Sequence, residues 1–386
     1  MPGIMKQLRV IKLIFFLAAI LLLKACSSSD HGYIVYVGTY TGDGSDGIYA
    51  CKFNPVDGDL GPVRLVAKTD NPSFLTTDPD GRFLYAVNEV DSFQNEPAGG
   101  VSVFEINRES GKLALLQQIS SLGKGPCHLS LDKSGRYLMV ANYNSGNFSV
   151  FPVRYDGSLG ENTAFIQSTG SGADTVRQTG PHAHYIQGTG NNKFVMVADL
   201  GTDKILIYRF DPATGELTPN NPAFVALDPG AGPRHFAFAP SGNFMFVLNE
   251  LSSTVSVFDF DQDSAKLQVK QTISTLPEQF TGMNTAAEIL AGHNGRFLYV
   301  SNRGDDSIVV FYIDKDDGSL TFVDRVPCGG KTPRNFEIDP TGQWMLVANQ
   351  DSDNIMLFQI DQESGKLIQT NRSVDISSPV CIRFID

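Results

Sequence analysis

Nowhere along the 386 residues is an apolar period of 3.6 sustained, which excludes a helical bundle or a helix-rich α/β fold. Basic charge is also short: 30 Lys+Arg stand against 42 Asp+Glu, a formal net charge of −12. A chain so balanced, with no basic cluster, lacks the footprint of a nucleic-acid partner. Cysteine is sparse, five in all. Cys51, Cys127, Cys328 and Cys381 stand far apart with no Cys-x-x-Cys pair. That spacing gives neither a structural zinc site nor a dense disulfide framework, and the four read as buried free thiols. No Gly-x-Ser-x-Gly elbow is present, so a serine nucleophile on a strand-to-helix turn is not expected.

Long hydrophobic runs are missing too, with one exception at the start. Val10 to Leu23 is apolar but short for a membrane span, and Lys6, Arg9 and Lys12 give it the cationic flank of a secretory leader. Leu23-Lys24-Ala25-Cys26 resembles a bacterial lipobox, although Lys24 is unusual in its slot. The expectation is a signal peptide over residues 1–25, lipidation at Cys26, a tether over 26–32 and a folded body over 33–386. Only the lipid would touch a membrane, because an acidic body is repelled by anionic lipid. The protein would face the periplasm or lie on the outer membrane.

What the chain has in quantity is turn and strand formers: 37 Gly, 20 Pro, 26 Phe and 12 Tyr. They fall into a repeat. Pro72-Ser-Phe-Leu-Thr-Thr-Asp-Pro-Asp-Gly81 continues into an apolar run that ends at Asn88, and Pro333-Arg-Asn-Phe-Glu-Ile-Asp-Pro-Thr-Gly342 does the same up to Asn349. The other starts are Pro126, Pro181, Pro233, Ala287 in the Pro slot, and Pro379. A spacing of about fifty residues is that of a four-stranded propeller blade. Apolar runs such as Phe83–Val87 do not alternate with polar residues, as expected of strands buried on both faces. Tyr33 to Asn71 supplies three strands (Ile34–Gly38, Gly47–Asn54 and Val63–Thr69), and Pro379 to Phe384 supplies the missing fourth. The expected fold is an all-β, seven-bladed β-propeller whose ring is closed by the C-terminal strand joining the N-terminal blade, leaving few free edges and favouring a monomer.

Within a repeat, what all blades share reads as structure and what differs reads as chemistry. The strand-terminal Asn88, Asn142, Asn249, Asn302 and Asn349 belong to the first kind. The residue after each Pro belongs to the second: Ser73, Cys127, His182, Arg234, Glu288, Arg334 and Val380. So does the residue after each Asn slot: Tyr40, Glu89, Tyr143, Leu200, Glu250, Arg303 and Gln350. Antiparallel first and second strands bring both sets to one end of the central channel as concentric rings. Of six histidines, His128, His182, His184 and His235 lie beside strand starts. His184 is the one polar residue in a position that is otherwise apolar, and the twist of the strand decides whether it or His182 faces the channel.

Gly180-Pro-His-Ala-His184, Gly232-Pro-Arg-His235, Leu248-Asn-Glu250, Phe297-Leu-Tyr-Val-Ser-Asn-Arg303 and Thr332-Pro-Arg-Asn-Phe336 together resemble the lactonase family of seven-bladed propellers over all of Tyr33–Asp386. That family includes propeller-type 6-phosphogluconolactonases and the fungal carboxy-muconate cycloisomerase. The resemblance implies a His, an Arg and a Glu acting on the lactone, which fall by motif on His182, Arg234 and Glu250. It makes Arg303 and Arg334 candidates for holding a small sugar-derived anionic lactone, to which the ring positions and clustered histidines add His184, His235 and Glu288. One departure is Ala287-Glu-Ile-Leu290, where family members often end in His.

Hydrolysis of a cyclic ester passes through an oxyanion, which a guanidinium such as Arg234 stabilises, while His182 or Glu250 serves as base toward water. The His- and Arg-rich mouth argues for no metal and no cofactor, although Glu89, Asn142 and Glu250 supply oxygen donors of the kind a calcium site uses. A non-catalytic propeller binding an acidic ligand or a partner through the mouth or the loop Asp91–Gly100 is the alternative. An isomerase moving a proton beside a carboxylate is a third.

Overall fold

The computed structural model describes residues 32–42 and 44–385. The expected signal peptide, the lipidation site Cys26 and nearly all of the tether lie outside the described residues.

Seven antiparallel sheets form the molecule, and no α-helix occurs among the described residues. The innermost strands are Leu75–Thr77, Pro126–Leu131, Ala183–Gly188, Pro233–Phe238, Thr285–Ala291, Pro333–Ile338 and Pro379–Ile385. They open blades one to seven, and each contacts the inner strands of both neighbours, the last returning to the first. The expected closure is present: Pro379–Ile385 pairs with Tyr33–Thr39, which continues into Gly47–Asn54. The third N-terminal strand is shorter than expected, Arg64–Lys68, because Asp59–Leu60 first folds back on Asn54 and Phe53.

The second strand of each blade explains the non-alternating apolar runs. Phe83–Asn88, Tyr137–Asn142, Phe194–Asp199, Phe244–Asn249 and Trp344–Asn349 are buried at every position. Each packs between two blades; Leu84 and Ala86 of blade one, for example, share a cluster with Leu129 and Val140 of blade two. Burial of such side chains contributes about 1.5–3 kcal/mol apiece. The four cysteines sit in this interior as free thiols.

The strand-terminal asparagines are structural: Asn249 bonds across the following turn to Thr254 and Ser256, while the other four reach the preceding blade. Asn88, Asn142, Asn302 and Asn349 donate from Nδ2 to the carbonyls of Asp70, Ser121, Thr275 and Cys328. Those carbonyls lie on the segments arriving from the preceding blade, so the side chain ties one blade to the next. At the opposite end, the hairpin aspartates close their own turns: Asp78 accepts from the amides of Arg82 and Phe83, and Asp339 from those of Gln343 and Trp344.

Candidate active site

The inner strands begin with a bulge. Pro126, Pro233, Pro333 and Pro379 pair with Asn142, Asn249, Asn349 and Thr39, after which the register skips one residue. The skipped residues are Cys127, Arg234, Arg334 and Val380. A bulge frees a residue from the ladder and re-aims its side chain. Blade five skips two, Ala287 and Glu288, and Ala286 rather than Ala287 takes the Pro slot.

Blade three keeps the device but moves it along the chain. Ala183, not Pro181, pairs with Asp199, and the skipped residue is His184. Ile186 then takes the apolar position. The structural repeat therefore runs out of step with the Pro-based alignment in this blade, and His184 occupies the ring position expected of His182. His182 instead precedes the strand, stacks on Tyr143 with ring centroids 4.4 Å apart, and places Nδ1 2.8 Å from the Tyr143 carbonyl.

The two rings meet in a cavity of about 230 Å³ at this end of the channel. Tyr40, Glu89, Tyr143, Glu250 and Arg303 come from the second-strand ring, Cys127, His184 and Arg334 from the bulges, and Asn144 and Arg177 from loops. A larger cavity of about 730 Å³ opens at the other end, beneath Thr77, Leu131, Gly188 and Ala239. Between the two lies a ring stack: His128 is 4.2 Å from Phe74 and 3.9 Å from Tyr185, and Tyr185 is 4.6 Å from His235.

Glu250 is the hub of the mouth. Its Oε2 lies 3.1 Å from Arg234 Nε and 3.0 Å from Arg303 Nη2, and its Oε1 accepts from Arg177 Nη2 at 2.7 Å. Burial alone raises a carboxyl pKa, but Arg303, Arg234 and Arg177 outweigh it and hold Glu250 at about 2. Both oxygens of Glu250 are thus engaged by guanidinium groups. Glu89 accepts from Tyr40 Oη at 2.9 Å and from Ser73 Oγ.

Arg234 is set behind the cavity. Its side chain is 3% exposed and its Nη1 donates to the Ala287 carbonyl and, at 3.2 Å, to His235 Nε2. Since a guanidinium only donates, His235 Nε2 accepts, and its Nδ1–H donates to Glu288 Oε1 at 2.8 Å. Glu288 also receives the Ile289 amide at 3.1 Å and Asn335 Nδ2 at 2.6 Å. His235 and Glu288 are thus buried braces for Arg234 and do not line the cavity, contrary to the expectation that they contact substrate.

Two groups face the cavity uncommitted. Arg334 makes no hydrogen bond or ion pair among the described residues, its guanidinium lying 5.2 Å over the Tyr40 ring. His184 makes no side-chain hydrogen bond among the described residues, and its Nδ1 is sealed from solvent. Burial, then the nearby Arg234 and His235, pushes the His184 pKa well below that of free histidine, so the ring is neutral at neutral pH. Sequence reasoning missed Arg177, which lies on residues 168–182, outside the repeat. The blade spacing from Pro126 to Pro181 resembles that of its neighbours, so the long connection shows only once the strands are placed.

The chain matches the family of lactonase seven-bladed β-propellers over residues 34–384, and it belongs to that family. It is 37% identical over 353 residues to a 6-phosphogluconolactonase of Bacillus subtilis, covering 92% of this chain and 98% of that one. A 6-phosphogluconolactonase of Formosa agariphila is 34% identical over 311 residues, 80% of this chain and 86% of its own. Among solved structures, the periplasmic gluconolactonase of Pseudomonas aeruginosa superposes with a TM-score of 0.86 at 37% identity, over 92% of this chain and 99% of that one.

Proposed function

We propose that this protein hydrolyses a sugar-derived lactone at the mouth containing His184, Arg303 and Arg334. The observation that carries this reading is the pairing of an uncommitted guanidinium, Arg334, with a neutral, uncommitted imidazole, His184, in one cavity. Water attacks the ester carbonyl while His184 takes its proton. The developing oxyanion is held by Arg334, supported by Arg303 through its spare donor capacity. The ring C–O bond then breaks, and the His184 imidazolium returns the proton to the leaving alkoxide, giving the open hydroxy acid. Arg234 and Glu250 act from behind by fixing Arg303 and the field of the mouth. Both mouth carboxylates are engaged by Arg, Tyr and Ser donors, so the scheme uses no divalent ion and survives a chelator.

The leader and the name of the Pseudomonas aeruginosa relative support an exported, Cys26-anchored protein acting outside the cytoplasm. Labelling with a radioactive fatty acid, lost in Cys26→Ser, tests the anchor. The test of function is proton release by the soluble form beginning at Asp30, offered 6-phosphogluconolactone, gluconolactone and an aromatic-derived lactone. Hydrolysis well above the spontaneous rate, lost in Arg334→Ala, is expected. A folded protein that accelerates none of the three contradicts the proposal.

A further inference from the structure

We infer that Arg177 selects lactones carrying a second acidic group, a phosphate or a carboxylate, over neutral ones. This rests on the hydrolytic reading of the same mouth. Arg177 is the outermost guanidinium bound to Glu250: its side chain is 40% exposed, against 13% for Arg303 and 3% for Arg234. Its side-chain hydrogen bonds among the described residues leave from one nitrogen, Nη2, to Glu250 Oε1 at 2.7 Å and Tyr143 Oη at 3.1 Å. Nε and Nη1 have no acceptor among the described residues, although the residue lines the cavity. A guanidinium grips two oxygens side by side through Nη2 with either Nε or Nη1, so with Nη2 taken these two nitrogens remain as separate charge-assisted donors, each suited to one oxygen of a phosphate or carboxylate.

The loop that carries Arg177 is built, not loose. Asp174 Oδ1 accepts from the amides of Val176 and Arg177 at 2.8 and 3.0 Å. Gln178, 1% exposed, donates to Asp203 Oδ1 at 2.6 Å and to the Leu200 carbonyl at 2.8 Å, and its Oε1 accepts the Asp174 amide. Gly172 packs so closely on the Gln178 side chain that an added Cβ would lie 2.4 Å from it. These contacts hold the loop that presents Arg177 on the Tyr143 side of the cavity, while Arg334 stacks on Tyr40. The oxyanion needs one of these guanidiniums, and the second is left for another negative group of the same substrate.

The experiment compares wild type, Arg177→Gln and Arg177→Lys on 6-phosphogluconolactone, a glucaric acid lactone and neutral gluconolactone. For Arg177→Gln, kcat/KM on the two acidic lactones falls about 10- to 100-fold further than on gluconolactone, the range of one charged hydrogen bond, with the loss mainly in KM. Arg177→Lys regains part of it, and the relative losses on phosphate and carboxylate substrates tell which group Arg177 reads. Equal losses on all three lactones would show that Arg177 only braces Glu250, and would overturn the inference. Calorimetric binding of 6-phosphogluconate, glucarate and gluconate gives a readout independent of turnover. If wild type hydrolyses no lactone yet the 6-phosphogluconate or glucarate preference over gluconate vanishes in Arg177→Gln, the hydrolytic reading fails and the anion site stands. If the preference is absent from wild type or unchanged in the variant, the anion site is refuted.

Discussion

Two groups of buried charge share one channel and differ in how they are balanced. In the deeper group, Glu337 is paired with Arg383, whose Nε also donates to the Leu75 carbonyl at 2.9 Å. Glu288 is enclosed by His235, Asn335 and the Ile289 amide, and Asn335 in turn accepts the Ile382 amide at 2.8 Å. These contacts run from blade four through five, six and seven to blade one, so they lock the ring. In the group at the mouth, donors outnumber acceptors: among the described residues Arg334 has no ion pair, Arg177 keeps Nε and Nη1 unbonded, and His184 has no side-chain hydrogen bond. The difference teaches how to sort buried charge here. The balanced group holds the fold, and the unbalanced group is left open for a ligand.

The comparison is broken most sharply by removing one charge from each group. Arg334→Ala is expected to lower kcat/KM by about 10²–10³-fold, the usual effect of losing an oxyanion donor, with thermal stability nearly unchanged. Glu337→Gln does the reverse. It leaves Arg383 buried without its counter-charge, and lowers stability in urea by about 3 kcal/mol while kcat stays within twofold of wild type on the order-of-magnitude view that distant sites act independently. Loss of activity in the second variant at a temperature where it is folded would erase the distinction.

Two pH effects sharpen it further. Because burial and the neighbouring Arg234 and His235 lower the His184 pKa, the base stays neutral below the ordinary histidine range. Initial rates are expected to hold between pH 7.5 and 5.5, where an unshifted histidine would cost about tenfold. Glu250 gives the smallest effect. Its carboxyl is lowered from 4.5 to about 2, so its ion pairs contribute fully above pH 4.5 and are lost as pH falls toward 2. Glu250→Gln should flatten that part of the stability curve, measured by chemical denaturation across the acid range.

Much of this was legible in the repeat. Burial of both strand faces leaves the non-alternating runs, and the Pro and Asn slots mark the ends of strands that meet at one mouth. The two rings expected there do meet: Tyr40, Glu89, Tyr143, Glu250, Arg303, Cys127 and Arg334 all line one cavity. Three things were hidden. The shift of register in blade three is masked because Pro181-His182 still fits the motif, although His184 in an apolar column was its trace. The withdrawal of Arg234, His235 and Glu288 depends on hydrogen bonds between blades that no spacing encodes. Arg177 comes from a loop without counterpart in the other blades, so comparing repeats gave no reason to look at it.

The most direct test of the account sets the two neighbouring histidines against each other. Initial rates of lactone hydrolysis are measured for His184→Gln and His182→Gln, both confirmed folded. A bulge that aims His184 into the cavity and leaves His182 stacked on Tyr143 predicts a loss of about 10²-fold or more in kcat for the first, the scale of general-base catalysis, and a change of only a few-fold for the second. The opposite order would contradict it and return the catalytic role to the residue that follows Pro181.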